Sequence, residues 1–543
     1  MKTKKYIIFL FLGLLGCDDD FLDKTPYDAI SNESIWSSDN NARMAVNGIY
    51  NALNRPNALG DFCLNFGNYG PDGMNHNGGS VEQGLSTTRE GIYRNVYTDL
   101  YRVINYANDA LANLPDNPDV TKELADQFIG EAHFLRGIAY FYLWQLYGGV
   151  IILDKPVFPD DTYLPRNSAE EVKQFVMNDF TDAIGLLPVM YDNVADNGRV
   201  TKGAAVAMLG KTYLYDEQWA EAAAQFEQLM GDTYAYELLD DYSHLFDFKW
   251  ENNNEHIFAL QQVMEPDLGS DYDMRYGGRS TNASAWNNTL TSWVTVTSYS
   301  NKDGSPIDIS GMPELSDYAD DYALGLDLIP WYQATFENVD ERLKMNVIMP
   351  GDQFIGNENT VYVVNWPFNE HANDDPPAYR TNWPNEALFP WRKFVNVGEE
   401  NQQRWDSPNN IPIIRYADVL LMYAEAKNEL QGPSVEIINV VNQVRQRAGI
   451  ADLSAALSQE ELRRSIRVER LHELPGEGHL FFDVRRWRLA ATDDPLFGLN
   501  HDVLDFRGMK IFTRVFTERD YLWPIPEQER EINTTLDQNP GWE

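Results

Sequence analysis

The feature that most constrains the fold is a succession of segments with apolar residues at helical spacing, each closed by a helix-stopping residue. The first opens at the capping residues Ser37 to Asp39. It carries Ala42, Val46, Ile49, Tyr50 and Leu53 on one stripe and stops at Pro56. Others run over residues 90–114, closed by Pro115, over 121–147, closed by Gly148-Gly149, and over 168–187 and 202–230. In the C-terminal half, residues 415–430 and 434–448 flank the break Gly432-Pro433. Residues 57–88 are rich in Gly and Asn, lack this period and read as a long loop. Residues 232–411 gain Gly, Pro, Asn and aromatics, with short β-like runs at 294–297 and 361–364. The expectation is a mainly α chain with a few short strands, in which long loops on a rigid scaffold form a ligand-binding face.

The helices also look paired. Leu209, Gly210, Tyr213, Ala222 and Phe226 stand at the spacing of the tetratricopeptide pattern, with small Ala222 where paired helices approach closely. Such pairs cannot bury their apolar faces alone and should stack into a short superhelix. For the weaker pairs a generic helical bundle is nearly as good an alternative. The expected organisation is a helical, tetratricopeptide-like part at 31–231, a loop-rich part at 232–411 and a C-terminal helical part at 412–543, with 31–543 forming one compact unit.

The N-terminus sets the compartment. Lys2, Lys4 and Lys5 precede an apolar run from Tyr6 to Leu15, too short to span a bilayer but suited to a signal peptide. Leu14-Leu15-Gly16-Cys17 reads as a lipobox, which predicts cleavage of residues 1–16, lipidation at Cys17 and a polar tether over 17–30. With Cys17 lipidated, Cys63 has no partner, so neither a disulfide framework nor an all-cysteine metal site can be built. The net charge is −40, and loss of the leader's lysines would make it about −43. That surface repels phosphate backbones, which disfavours nucleic acid as a partner. Aromatics at 13% are far too many for a disordered acidic chain and leave some for a binding surface.

Several blocks together resemble one family. They are Glu131-Ala132-His133-Phe134-Leu135-Arg136-Gly137 with Tyr147-Gly148-Gly149, then Gly198-Arg199-Val200-Thr201-Lys202, and then Arg415-Tyr416-Ala417-Asp418 through Met422. Val444-Arg445-Gln446-Arg447-Ala448-Gly449, Glu469-Arg470 through Arg486-Trp487, Pro524-Ile525-Pro526 and Gln538-Asn539-Pro540-Gly541 complete the series. In this order they resemble the SusD/RagB family of surface glycan-binding lipoproteins. The resemblance implies a SusD-like α-rich fold with tetratricopeptide-like units, no catalysis, and a SusC-like TonB-dependent transporter as partner. It also implies display on the outer face of the outer membrane, in keeping with the acidic run Asp18-Asp19-Asp20 after the lipobox. Its blocks are mostly scaffold, so no binding residue carries over by motif.

Candidate ligand residues come from loop chemistry. Sugars offer apolar C–H faces to aromatic rings and hydroxyl rims to amides, carboxylates and guanidinium groups. The first loop interleaves Phe66, Tyr69, Asp72, Asn75, His76 and Asn77 with glycines. The second region groups Tyr272, Arg275, Tyr276, Arg279, Asn282, Trp286, Asn287 and Trp293. Trp286 and Trp293 are the expected stacking rings, with Tyr69, Asp72 and Asn75 as the opposite wall, and Trp366, Trp383 and Trp391 are further candidates. For any single ring, burial in the core competes with this role.

No cofactor is expected. Asp317, Asp320 and Asp321, or Asp267, Asp271 and Asp273, could hold a structural calcium, but neither set has EF-hand spacing. His472-Glu473 is not followed by a second His at helical spacing, because position 476 is Gly, so the zinc-protease motif is absent. The charges from Glu469 to Trp487 read instead as an ion-pair network pinning a helix to the turn at Pro475-Gly476. Two rival classes stay open at this level: a surface glycosidase, whose paired carboxylates no motif would mark, and a tetratricopeptide adaptor binding protein alone.

Overall fold

The computed structural model describes residues 35–157, 163–281, 284–371, 373–382, 387–398 and 405–543. Cys17, the tether, Asn282 and Trp383 lie outside them.

Helix α1 (Asp39–Leu53) starts at Ser38, whose hydroxyl accepts the Asn41 N–H, and buries Ala42, Val46, Ile49 and Leu53. After α2 (Phe62–Tyr69) come α3 (Gly91–Asn113), α4 (Lys122–Tyr147), α5 (Ala169–Leu186), α6 (Lys202–Tyr215) and α7 (Trp219–Leu229). From α3 onward each packs on the next. Ser168 and Glu171 form a reciprocal cap that fixes where α5 begins. The tetratricopeptide spacing has a direct structural cause in α6 and α7. Ala222 is fully buried, and a Cβ on Gly210 would stand 2.7 Å from the Phe226 ring.

The helices α8 (Tyr272–Tyr276), α9 (Trp293–Ser298), α10 (Asp321–Thr335) and α11 (Glu341–Asn346) punctuate the loop-rich part, all short but α10. Then α12 (Tyr416–Gln431) packs against α7, α13 (Val435–Arg447) and α14 (Gln459–Glu473), joining the C-terminal helices to the N-terminal stack. Helices α15 (His479–Arg486) and α16 (Glu527–Ile532) follow. One continuous apolar core contains residues from Trp36 to Trp542. No described helix is long and apolar enough to cross a membrane.

Two expectations fail. Residues 57–88 are not simply a loop, because they contain α2 and the strand β1 (Gly73–Asn75). Two turns of helix are too short to display a period, and β1 exists only through its tertiary partner. The β-like run 294–297 is helical, within α9. Ser292 caps that helix by accepting the Thr295 N–H, and burial of Thr295 and Val296 overrides their strand preference. The run at 361–364 does contain a strand, Val361–Val363, paired with Gln353–Ile355.

The expected ion-pair network is present and deeply buried. Arg415, Arg342, Arg447 and Lys393 meet Glu255, Asp340, Glu469, Glu473 and Glu477 around the end of α14, at N···O distances from 2.5 to 3.2 Å. Arg445, at the edge, completes the balance of five cations against five carboxylates through Glu469. The Pro475 carbonyl accepts from Lys393, so the turn is tied directly to the network. Gly476 has φ +73°, and the Trp391 ring lies 3.0 Å from where its Cβ would be, so only glycine fits there without strain.

Candidate functional site

The two loop regions picked out for sugar chemistry are joined by a strand pair. β1 pairs antiparallel with Thr289–Thr291, with Asn75 opposite Thr289, and Thr289–Thr291 pairs in turn with Phe389–Pro390. The His76 N–H extends the ladder by donating to the Asn288 carbonyl at 3.2 Å. Gly73 is required here by close approach, since a Cβ would sit 2.7 Å from the Gly67 carbonyl oxygen.

Between these segments lies a cleft of about 340 Å³. Its floor follows from helical geometry. Phe62 and Phe66 of α2 point into the core against Phe481 and Phe482, while Asn65, Asn68 and Tyr69, in register with Asp61 before the helix, line the cleft. Asn75, Asn288 and Thr289 come from the strand pair, Arg275 from α8, and Glu90 from the start of α3. Burial, and then the neighbouring Asp271 charge, push the Asp61 carboxyl up to about 7 against the opposing pull of Arg275. Near neutral pH Asp61 can therefore donate as well as accept. Arg275 is one-third exposed and donates to Asp271 at 3.3 Å, with further N–H groups available to a ligand.

The cleft wall is clamped from below. Glu82 accepts the N–H groups of Asn75 and Gly79 at 3.1 and 2.6 Å. Buried Arg514, just after the strand Lys510–Thr513, donates to the carbonyls of Asn68, Gly70 and Gly73 at 2.6–2.9 Å and to Glu82 at 3.4 Å.

Beside the cleft stands an aromatic pair. The backbone N–H of Trp286 donates to the Met274 carbonyl, one residue from Arg275, so α8 anchors both the residue that bears the ring and the cleft's guanidinium. Trp286 is half-buried on Met274 and Ala285 and meets Trp405 edge to face, centroids 5.4 Å apart; Trp405 is 44% exposed. Trp405 was missed by the sequence reading. Its signal is a lone tryptophan in the polar stretch from Glu399 to Ser407.

Of the expected site residues, Tyr69, Asn75 and Arg275 line one cleft, Trp286 stands two residues before the cleft-lining Asn288, and His76 extends the strand ladder. Others belong to the scaffold. Asp72 is fully buried and accepts the Gly476 N–H at 2.8 Å; burial pushes its carboxyl up to about 6. Tyr272 and Tyr276 are core residues, one accepting the Cys63 N–H and the other donating to the Gly476 carbonyl. Asn287 is buried and accepts the Asn382 N–H, while Arg279 donates to the Ser284 carbonyl and to Asn382, bracing the loop. Trp293 begins α9 and packs toward Phe389, and Trp366 and Trp391 are buried. Each needed its polar or aromatic groups for internal partners that sequence distance hides. Of the acids weighed for calcium, Asp273 is held by Asn396 and Asp271 by Arg275. Among the described residues no three His, Cys, Asp or Glu side chains gather as a metal site.

Fold and cleft together define a helical protein with a polar cleft and an exposed aromatic pair carried on its loop-rich part. Residues 254–542 match the model of the SusD family, and residues 20–214 match a model described as starch-binding associating with outer membrane. The chain belongs to the SusD family. Members of this family are binding proteins and not enzymes. Two SusD-like proteins of Formosa agariphila are 26% and 25% identical, the first over 99% of this chain and 98% of its own, the second over 100% of both. A SusD-like carbohydrate binding protein of Bacteroides fragilis superposes with a TM-score of 0.78 at 22% identity, over 93% of this chain and 100% of that one. A structure titled laminarin binding SusD-like protein gives 0.64 at 22% identity, with 93% and 100% covered.

Proposed function

We propose that this protein is a cell-surface lipoprotein that captures an oligosaccharide or polysaccharide and delivers it to a SusC-like TonB-dependent outer-membrane transporter, without chemistry of its own. The observation that carries the reading is the juxtaposition of an amide-lined cleft with the Trp286–Trp405 pair, both set by α8. Amides, Arg275 and a protonated Asp61 suit a hydroxyl rim, and an exposed indole suits the C–H face of a pyranose. A net charge of −40 favours a neutral glycan over an anionic one. The relatives described as carbohydrate binding and laminarin binding support the same class of ligand.

Calorimetry against a panel of neutral glycans tests this. Trp405→Ala should weaken binding by about 2 kcal/mol, as loss of an aromatic anchor does. Arg275→Ala should weaken it as well, and circular dichroism should show both variants folded. Wild-type affinity in both variants would remove the site from this face. Release of reducing ends at enzyme-like rates would favour a glycosidase, and binding of peptide but no glycan would favour an adaptor.

Anchoring rests on the lipobox ending at Cys17. Cys17→Ala should move the protein from the membrane fraction to the soluble fraction. Unchanged fractionation, with no lipid on the wild-type N-terminus, would reject the anchor.

A further inference from the structure

A second groove lies apart from the cleft and shares no lining residue with it. It has two lobes, of about 340 and 350 Å³, which meet at Asn197, Gly198, Arg199, Ala259 and Gln261. One lobe runs along α1 past Asn47, Asn51 and Asn54, a single helical face of amides. The other is bounded by Tyr234, Tyr236 and the run Asn252-Asn253-Asn254.

Three observations on this second lobe converge. The Tyr234 and Tyr236 rings are parallel to within 5°, their centroids 5.9 Å apart, so they form a flat step. The residue between them, Ala235, has φ +52°, and Asn252 across the groove has φ +55°. A left-handed alanine is uncommon, so the backbone between the two rings is held in a shape most residues avoid. Asn253 is spent on structure: its side-chain amide oxygen Oδ1 accepts the N–H groups of Glu255 and His256, which fixes the turn presenting Asn252. The groove's cation, Arg199, is neutralised by Glu131 and Asp196, so the lining offers amides and rings without net positive charge.

The segment from Val263 to Arg275 links the two places. Val263 and Leu268 line the near lobe of the groove and Arg275 lines the cleft. Leu268 and Arg275 are seven residues apart, at most about 25 Å of extended chain. A polymer chain is long enough to cover a separation of that size.

We infer that the groove at Tyr234, Tyr236 and Asn252 is a second subsite for a neutral polysaccharide, engaged by the same chain that fills the cleft, so that the protein selects long glycans over short ones. This rests on the glycan-binding reading above. Linking two weak contacts through one ligand raises apparent affinity by 10²–10⁴ when the spacing fits.

The test is calorimetry with neutral α- and β-glucan oligomers of graded length and their parent polysaccharides. The proteins are the wild type, Arg275→Ala, and the double variant Tyr234→Ala with Asn252→Gly, where glycine retains the left-handed backbone. For the series it binds, the wild type should hold the polymer at least about tenfold more tightly than the short oligomer. The double variant should bind the short oligomer as the wild type does and lose the gain with length, at an unchanged melting temperature. Arg275→Ala should weaken the oligomer itself. A double variant that keeps the full gain with length overturns the second subsite and leaves the cleft standing. A wild type that binds no glycan of any length overturns the glycan reading itself and the subsite with it.

Discussion

Replacing Arg415 by methionine should destabilise the protein by about 3–5 kcal/mol, the cost of stripping one partner from a buried ion network. Arg415 is wholly buried and uses every N–H it has. Nε and Nη2 form a bidentate pair with Glu477 at 2.8 Å each, Nη1 donates to Glu255 at 2.6 Å and Glu473 at 3.1 Å, and Nη2 also reaches the Glu473 carbonyl at 3.1 Å. Methionine has the length but neither charge nor donors, so it would leave five carboxylates facing four cations out of water. Arg415→Lys should recover only part of the loss, because an ammonium cannot make the bidentate contact. The damage should also reach the cleft, since Glu477 neighbours Gly476, whose N–H holds Asp72 under β1. Denaturant unfolding of the three proteins measures this. A methionine variant within 1 kcal/mol of wild type would mean that the network contributes no stability.

Lowering the pH should leave stability nearly level to about pH 5 and then unfold the protein between about pH 4.5 and pH 2. Burial would raise the carboxyls of Glu473 and Glu477. The guanidinium groups of Arg447, Arg415 and Arg342 around the first, and Arg415 with Lys393 around the second, instead hold both down to about 2. Their folded values lie below their unfolded ones. Their contribution is therefore complete above the ordinary carboxylate range and is lost as the pH falls through about 2. Asp418 and Asp483 are held down in the same way by Lys211, Arg470 and Arg486 and add to the slope. Together these amount to several kcal/mol, the scale of a domain's whole stability.

Above that window opposing shifts offset one another. Burial lowers His256, His472 and His479 to about 4, so on acidification from 6.5 protons go first to the unfolded chain and stability falls. Burial raises Asp61 to about 7, Asp72 to about 6 and Glu251 to about 8, so over similar pH values protons go first to the folded chain and stability rises. Melting temperatures from pH 7 to pH 2 check both halves. A steady decline beginning at pH 7, or an intact fold at pH 2, would contradict the assignment.

The helical scaffold was legible because its causes are local. The stripe of Ala42, Val46, Ile49 and Leu53, the Ser168–Glu171 cap and the Gly210–Ala222–Phe226 spacing lie within a few turns of the elements they specify. The charged run from Glu469 to Trp487 was legible as a network for a related reason: that many charges close together in a foldable segment need partners inside the protein. Loop composition singled out two regions, and β1 brings residues of both to one cleft.

Within those regions the sequence could not separate ligand-facing groups from internal ones. Asp72 and Asn75 stand three residues apart in one glycine-rich stretch. One is sealed against Gly476, more than four hundred residues away, and the other opens to the cleft. Tyr272 and Arg275 share a single helical turn, yet the ring is core and Arg275 lines the cleft. Trp405, in a polar stretch, keeps an exposed ring that meets Trp286 edge to face, a contact that only the folded chain makes. The sequence by itself determined the helices, their pairing and the family, since spacing and capping act over neighbouring residues. Which polar and aromatic groups remained for a ligand was decided by the tertiary structure alone, because a hydrogen-bonding group or a ring is left for a ligand only where packing supplies no internal partner.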